Sequence, residues 1–240
     1  VATTVQERTI TGTGDRLAEG CVVEFRLLYS GQLFGASRDD TRSPHKHAIR
    51  REFHSQLRRL WSTNQNLKRR AAGYGMAKVH NMESGPWGPT AAPSDMDHAE
   101  YLELGFAEIA KSWNRQGYNF IPLVTADFCL RCSLDVLFLR PGVPGQVVGS
   151  GDLDNRLKSL FDSLRIPIRG EDVGEETPTD NESPFFCLLE DDKLITEVKV
   201  TTDTLLLLPH ERLVRENDVF LVITVRLNPT IPGPNQWVYA

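Results

Sequence analysis

From His45 to Trp61 apolar residues recur at spacings of four and three. Ile49, Phe53, Leu57, Leu60 and Trp61 fall on one stripe, so the spacing predicts a helix. The clearest stripe in the chain runs from Leu153 to Arg165, through Leu153, Leu157, Leu160, Phe161 and Leu164, and Pro167 closes it. Tyr101 to Trp113 has helical spacing through Leu102, Phe106, Ile109 and Ala110. Strands are predicted at Cys21 to Leu28, in the apolar run Phe128 to Leu139, in the alternating stretch Leu194 to Thr201, and at Asp218 to Leu227; Phe185 to Leu189 leads into the third of these. Gly31 to Pro44 and the Gly/Pro-rich Pro141 to Gly151 read as loops. The core order is therefore strand, helix, strand, helix, strand, strand. That order predicts an α/β (α+β) fold, a small mixed sheet with flanking helices.

Residues 1–20, rich in Thr and Gly, read as a loose arm, and 21–240 as a single domain. Two stretches stand outside the periodic core and read as insertions: Ser62 to Ala99, with Gly, Pro, Asn and basic residues, and Arg169 to Pro184. No internal repeat is present. The apolar run Leu205-Leu206-Leu207-Leu208 ends at Pro209, far short of a membrane span, and the expectation is a soluble cytoplasmic protein. Cys21, Cys129, Cys132 and Cys187 form no disulfide framework. Cys129 and Cys132 have the spacing of half a zinc site, but in a strand residues three apart face opposite ways, which favours buried thiols.

The net charge of -5 argues against a polyanion partner until its distribution is read. Between Thr41 and Val79 ten bases stand against Glu52 alone, a balance of +9. Between Gly170 and Pro184 there are six acids and no base. Local field decides the binding of a polyanion, so the first segment qualifies as a phosphate-binding surface. Its candidates are Lys46, Arg50, Arg51, Arg58 and Arg59; a solvated helix face is the ordinary alternative. His45, His47 and His54 could add to the basic surface. Trp61, Tyr74 and Trp87 could stack on unpaired bases, although core packing suits Trp61 better.

The candidate chemistry lies in Asp152-Leu153-Asp154-Asn155, with Lys158 one turn on and Glu190-Asp191-Asp192 downstream. At the end of an extended segment Asp152 and Asp154 can share a face, and the approach through Gly149 and Gly151 permits it. Carboxylates gathered at one point need a cation, and a divalent metal for phosphodiester hydrolysis is the usual reason. The structural alternatives are plain: Asp152 as a helix cap, Asp154 and Lys158 as an i,i+4 surface pair, and Asp191-Asp192 as a turn before a strand.

Asp152-Leu153-Asp154-Asn155, Lys158, Phe161-Asp162-Ser163-Leu164 and then Glu190-Asp191-Asp192 before a strand resemble the RusA-type Holliday junction resolvases. The order of elements around these motifs is also similar to that family. The resemblance covers about half the chain: the strand at Val22, the helix at His45, and most of Phe128 to Leu227. It implies a RusA-like core with two insertions and a compact homodimer that cuts branched DNA with Mg²⁺, Mn²⁺ being a possible substitute, and no organic cofactor. It makes Asp152, Asp154 and Asp192 the metal-binding carboxylates, with Asp191 in reserve if the register is off by one. Lys158 becomes the catalytic lysine, with Asn155 as a support for the cluster. The chain departs from the family in its length and in its acidic insertion. Two rival readings keep the fold: a DNA-binding or regulatory protein without catalysis, and a nuclease for another nucleic acid.

Overall fold

A computed structural model describes residues 23–36, 43–79, 98–141, 153–168, 173, 176–206 and 215–230. Among these are four helices and two sheets, a mixed α+β architecture. The larger sheet has the order β1-β7-β4-β6, built from β1 (Glu24–Gln32), β4 (Leu130–Arg140), β6 (Ile195–Thr204) and β7 (Asp218–Pro229). β7 runs antiparallel to both β1 and β4, while β4 and β6 are parallel. The smaller sheet has the order β2-β3-β5, from β2 (Asn114–Arg115), β3 (Tyr118–Val124) and β5 (Phe185–Leu189). β2 and β3 form a hairpin through Gln116 and Gly117, both at positive φ, and β3 pairs with β5 in parallel.

Alternation sets the layers. In β1 Phe25, Leu27 and Tyr29 are buried, and in β7 Val219, Leu221, Ile223, Val225 and Leu227. Cys132, Leu134, Val136 and Phe138 of β4 join the same core. On that face lie α1 (Ser43–Thr63), which packs on β1 and β5, and α4 (Leu153–Leu164), which packs on α1. The stripes read for these two helices are found where expected: Ile49, Phe53, Leu57, Leu60 and Trp61 are buried, as are Leu153, Leu160 and Leu164. Every position of β5 is buried, which is why it shows no alternation.

Two elements were not anticipated. Ser62 to Ala99 contains α2 (Gln65–Val79) and, at its far end, the start of α3 (His98–Lys111). Asn64 separates α1 from α2 and caps the latter, its side chain accepting from the amides of Asn66 and Leu67 at 3.0 Å each. Arg70 ties α2 to the body: it is buried, donates to the Phe128 carbonyl at 3.0 Å, and lies 4.4 Å above the Phe128 ring. The second is the β2–β3 hairpin, which lies between the predicted helix at Tyr101 and the predicted strand at Phe128. Residues 1–20, Cys21 and most of Pro141 to Gly151 lie outside the described residues. Among the described residues no helix is long and apolar enough to cross a membrane.

The α2–α3 hairpin is close-packed at one crossing, where a Cβ on Gly105 would collide with the Ala71 carbonyl. Backbone has no rotamer with which to yield, so Gly105→Ala must separate the helices. The expected cost is about 1–3 kcal/mol, read as a lower midpoint in urea unfolding. An unchanged midpoint would show that the helices do not meet at that distance.

Candidate functional site

The first turn of α4 is held from two sides. Ala36, beyond β1, donates its amide to the Asn155 carbonyl at 2.9 Å, and Gly35 lies against the Asn155 side chain. Leu33 donates to the Asn217 carbonyl at 2.8 Å, and Asn217 Oδ1 accepts from Arg156 Nη2 at 2.9 Å. Arg156 is buried, and its desolvation, with Arg140 nearby, lowers its pKa from the ordinary guanidinium value. The helix start is thereby fixed at the end of the sheet where β1 and β4 finish and β7 begins. Asp154, Asn155 and Lys158 remain exposed there. Asp154 accepts from the Asn155 amide at 2.8 Å, and neither Asp154 nor Lys158 forms an ion pair among the described residues. Asp152 lies outside the described residues.

Asp192 is at the opposite end. It begins a short 3₁₀ turn (Asp192–Leu194) that leads directly into β6, whose first residue, Ile195, pairs with Cys132 near the start of β4. Arg165, just past the last turn of α4, bridges Leu189 at the end of β5, and Glu190 donates to the Val124 carbonyl at 3.0 Å. β4 from Cys132 to Arg140 spans roughly 26 Å at about 3.3 Å per residue. Asp154 and Asp192 thus stand on the order of 20 Å apart within one chain, against a spread of about 5 Å for ligands of one metal. The expected meeting of Asp154 with Asp192 in one chain is not found, and Asp191 is no substitute. Asp191 caps the 3₁₀ turn: its side chain accepts from the Lys193 amide at 2.9 Å and pairs with Lys193 Nζ at 3.2 Å. That amide bond holds its carboxyl below the ordinary range. Among the described residues no three His, Cys, Asp or Glu side chains gather closely enough to hold a metal.

The bases of α1 divide sharply. Arg50, expected to face phosphate, is 2% exposed. It donates to the carbonyls of Asp162 at 2.9 Å and Arg165 at 3.1 Å, so a cation closes the C-terminal end of α4 where the helix dipole is negative. Lys46 pairs with Asp162 at 2.8 Å, and Arg165 joins them at 2.7 Å. Arg51 is engaged by Glu182 at 2.6 Å, by Glu176 and by the Tyr118 hydroxyl. Arg58 donates to Asn181, to its carbonyl at 3.1 Å and its side chain at 3.3 Å. Lys46, Arg50, Arg51 and Arg58 therefore hold the protein together, and the acidic insertion is docked on the basic helix. Arg59 is exposed and has no ion pair among the described residues.

The histidines follow the same pattern. His47 and His54 are buried against Phe185, the first stacked on its ring and the second tilted to it. Desolvation first, then Arg50 and Arg51, pushes His47 down to about 3, so it is neutral at pH 7. His54 joins the Asn181 carbonyl at 2.9 Å to the Phe186 amide at 2.8 Å. Trp61 is core, and Tyr74 packs edge-on against Phe128. Cys132 is buried in the core, which drives its thiol up to about 12, and Cys129 is a half-buried free thiol. Arg156, Asn217 and Glu182 are the structural residues that periodicity missed; an arginine on the apolar side of the α4 stripe was the available signal for the first.

A scan against protein-family models finds no match, and no curated protein or solved structure matches the chain.

The Lys46–Asp162–Arg165 cluster generates a pH test. Burial alone would raise the Asp162 carboxyl, but hydrogen bonds and charge from Lys46 and Arg165 outweigh it and hold the pKa below the ordinary carboxylate value. The folded form thus takes up its proton at lower pH than the unfolded chain. Its contribution is complete above the unfolded pKa of about 4 and is lost as pH falls through the folded value. Asp162→Asn should cost about 1–3 kcal/mol at pH 7 in urea unfolding, shrinking towards zero near pH 2. A cost that stays constant with pH would contradict a charged role for Asp162.

Proposed function

We propose that the protein is a Mg²⁺-dependent DNA endonuclease acting on branched DNA, with its site at the first turn of α4. The observation that carries this reading is the exposed Asp154 and Lys158, one turn apart on a helix start clamped by Ala36 and Asn217, with no protein charge neutralising either among the described residues. Hard carboxylate oxygens suit Mg²⁺, which is ordinarily held by one or two carboxylates with water and substrate phosphate completing its shell. Asp152 and Asp154 would hold the ion here. When bound, it would polarise the scissile phosphate and lower the pKa of a water. Lys158 would neutralise the phosphate or the leaving oxygen, and Asn155, through its backbone bond to Ala36, would keep Asp154 in place.

The third carboxylate implied by the resemblance has a place in this reading only across a dimer. Asp154 and Asp192 are too far apart to serve one ion within a chain, but a two-fold axis can bring opposite ends of two copies together. We therefore include a homodimer in the proposal, each site combining Asp152, Asp154 and Lys158 of one protomer with Asp192 of the partner subunit. Two such sites suit the two strands of a branch point. The distance between Asp154 and Asp192 also favours a second reading, a DNA-binding protein without catalysis.

The decisive assay incubates the protein with labelled four-way junction, flap and linear duplex, with Mg²⁺ or with chelator. The proposal expects metal-dependent nicking of a branched substrate, and Asp154→Asn or Lys158→Ala should lower it by at least 100-fold. Binding without cutting would leave the second reading standing. Cutting that survives Asp154→Asn would move the site elsewhere.

A further inference from the structure

We infer that the groove between α2 and α3 is a contact surface for the phosphate backbone of nucleic acid. This rests on the nucleic-acid reading above and extends it to an insertion outside the resolvase-like core. The groove has a volume of about 490 Å³ and is lined by Gln65, Lys68, Arg69 and Ala72 of α2 with Ala99 and Leu102 of α3. The four α2 residues are at i, i+3, i+4 and i+7, a single stripe of the helix. α2 turns Leu67, Ala71 and Tyr74 to the core, and this neighbouring flank presents two cations and an amide, Gln65 and Arg69 exposed and Lys68 half-buried, with Ala72 buried beside Tyr101 at its base.

The contrast with α1 gives this arrangement its meaning. Lys46, Arg50 and Arg51 are held by Asp162, by carbonyls or by the acidic insertion. Arg70, next in sequence to the groove, is buried against Phe128 and fixes α2 to the body. Lys68 and Arg69 have no ion pair among the described residues. Glu100 and Glu103 are exposed on α3, and neither pairs with them. Two cations without an ion-pair partner among the described residues, beside an amide on an anchored helix, fit a run of phosphates. Contacts to phosphate carry no sequence information, so binding there would be independent of sequence.

The test measures binding of the full chain to a fluorescein-labelled four-way junction and to a duplex, in chelator so that no strand is cut. Lys68→Gln/Arg69→Gln should weaken binding at least tenfold at low salt. It should also make the slope of log K against log salt shallower by about 2, one for each lost phosphate contact. Lys68→Arg/Arg69→Lys should bind as the parent does, and a thermal midpoint equal to the parent's excludes a folding defect in the glutamine variant. If the parent binds and the glutamine variant matches it in affinity and slope, the groove assignment is wrong and the nuclease proposal is untouched. If the parent binds neither substrate, both fall.

Discussion

The parallel pairing of β4 with β6 is the constraint from which the rest of the arrangement follows. Parallel neighbours cannot be joined by a tight turn; the chain leaving β4 must return to the starting end before it can enter β6. α4 makes that return, so its first turn lies where β4 finishes and its last turn where β4 begins. Asp154 and Lys158 are left at one end of the sheet and Asp192 at the other. The sheet thus holds Asp154 and Asp192 of one copy of the chain at opposite ends.

Charge inside the molecule serves the same geometry. The last turn of α4 carries unsatisfied carbonyls at the negative end of its dipole, and Arg50 occupies that position with Lys46 and Asp162 beside it. Arg51 and Arg58 hold the acidic insertion, whose Glu182 is itself largely buried and bonded to the Thr179 amide at 3.0 Å. The +9 balance of the basic segment therefore overstates the field available to a ligand. Among the described residues of that segment, the outward bases without an ion pair are Arg58 and Arg59 on α1, both exposed, and the pair Lys68 and Arg69 on α2. The proposed nucleic-acid surface, on this account, moves from the middle of α1 towards the α2–α3 hairpin.

How much could be read beforehand depends on how local each signal is. The stripes of α1 and α4 and the alternation of β1 and β7 are written within single segments, and they placed these elements within a few residues. α2 escaped because its buried residues Leu67, Ala71 and Ala72 are few and small, and Gly73, Gly75 and four bases obscure them. β3 escaped because Pro122 interrupts an apolar run that is buried on both faces. Asp154 and Lys158 could be placed on one exposed flank because a helix turn relates them directly. Which end of the sheet Asp192 occupies depends on strand pairing between residues about 60 positions apart, which no local pattern carries. The same applies to Arg50: its partners at Asp162 and Arg165 are more than a hundred residues away.

The most direct test of a site shared between two copies is complementation. Asp154→Asn and Asp192→Asn proteins, each inactive alone, are unfolded together, refolded as a mixture and assayed on a four-way junction with Mg²⁺. In a mixed dimer with shared sites, one site carries both substitutions and the other carries neither. The account predicts that nicking returns in the mixture, confined to one strand per dimer. No recovery, from a mixture shown to contain mixed dimers and alongside an active parent protein, would contradict it.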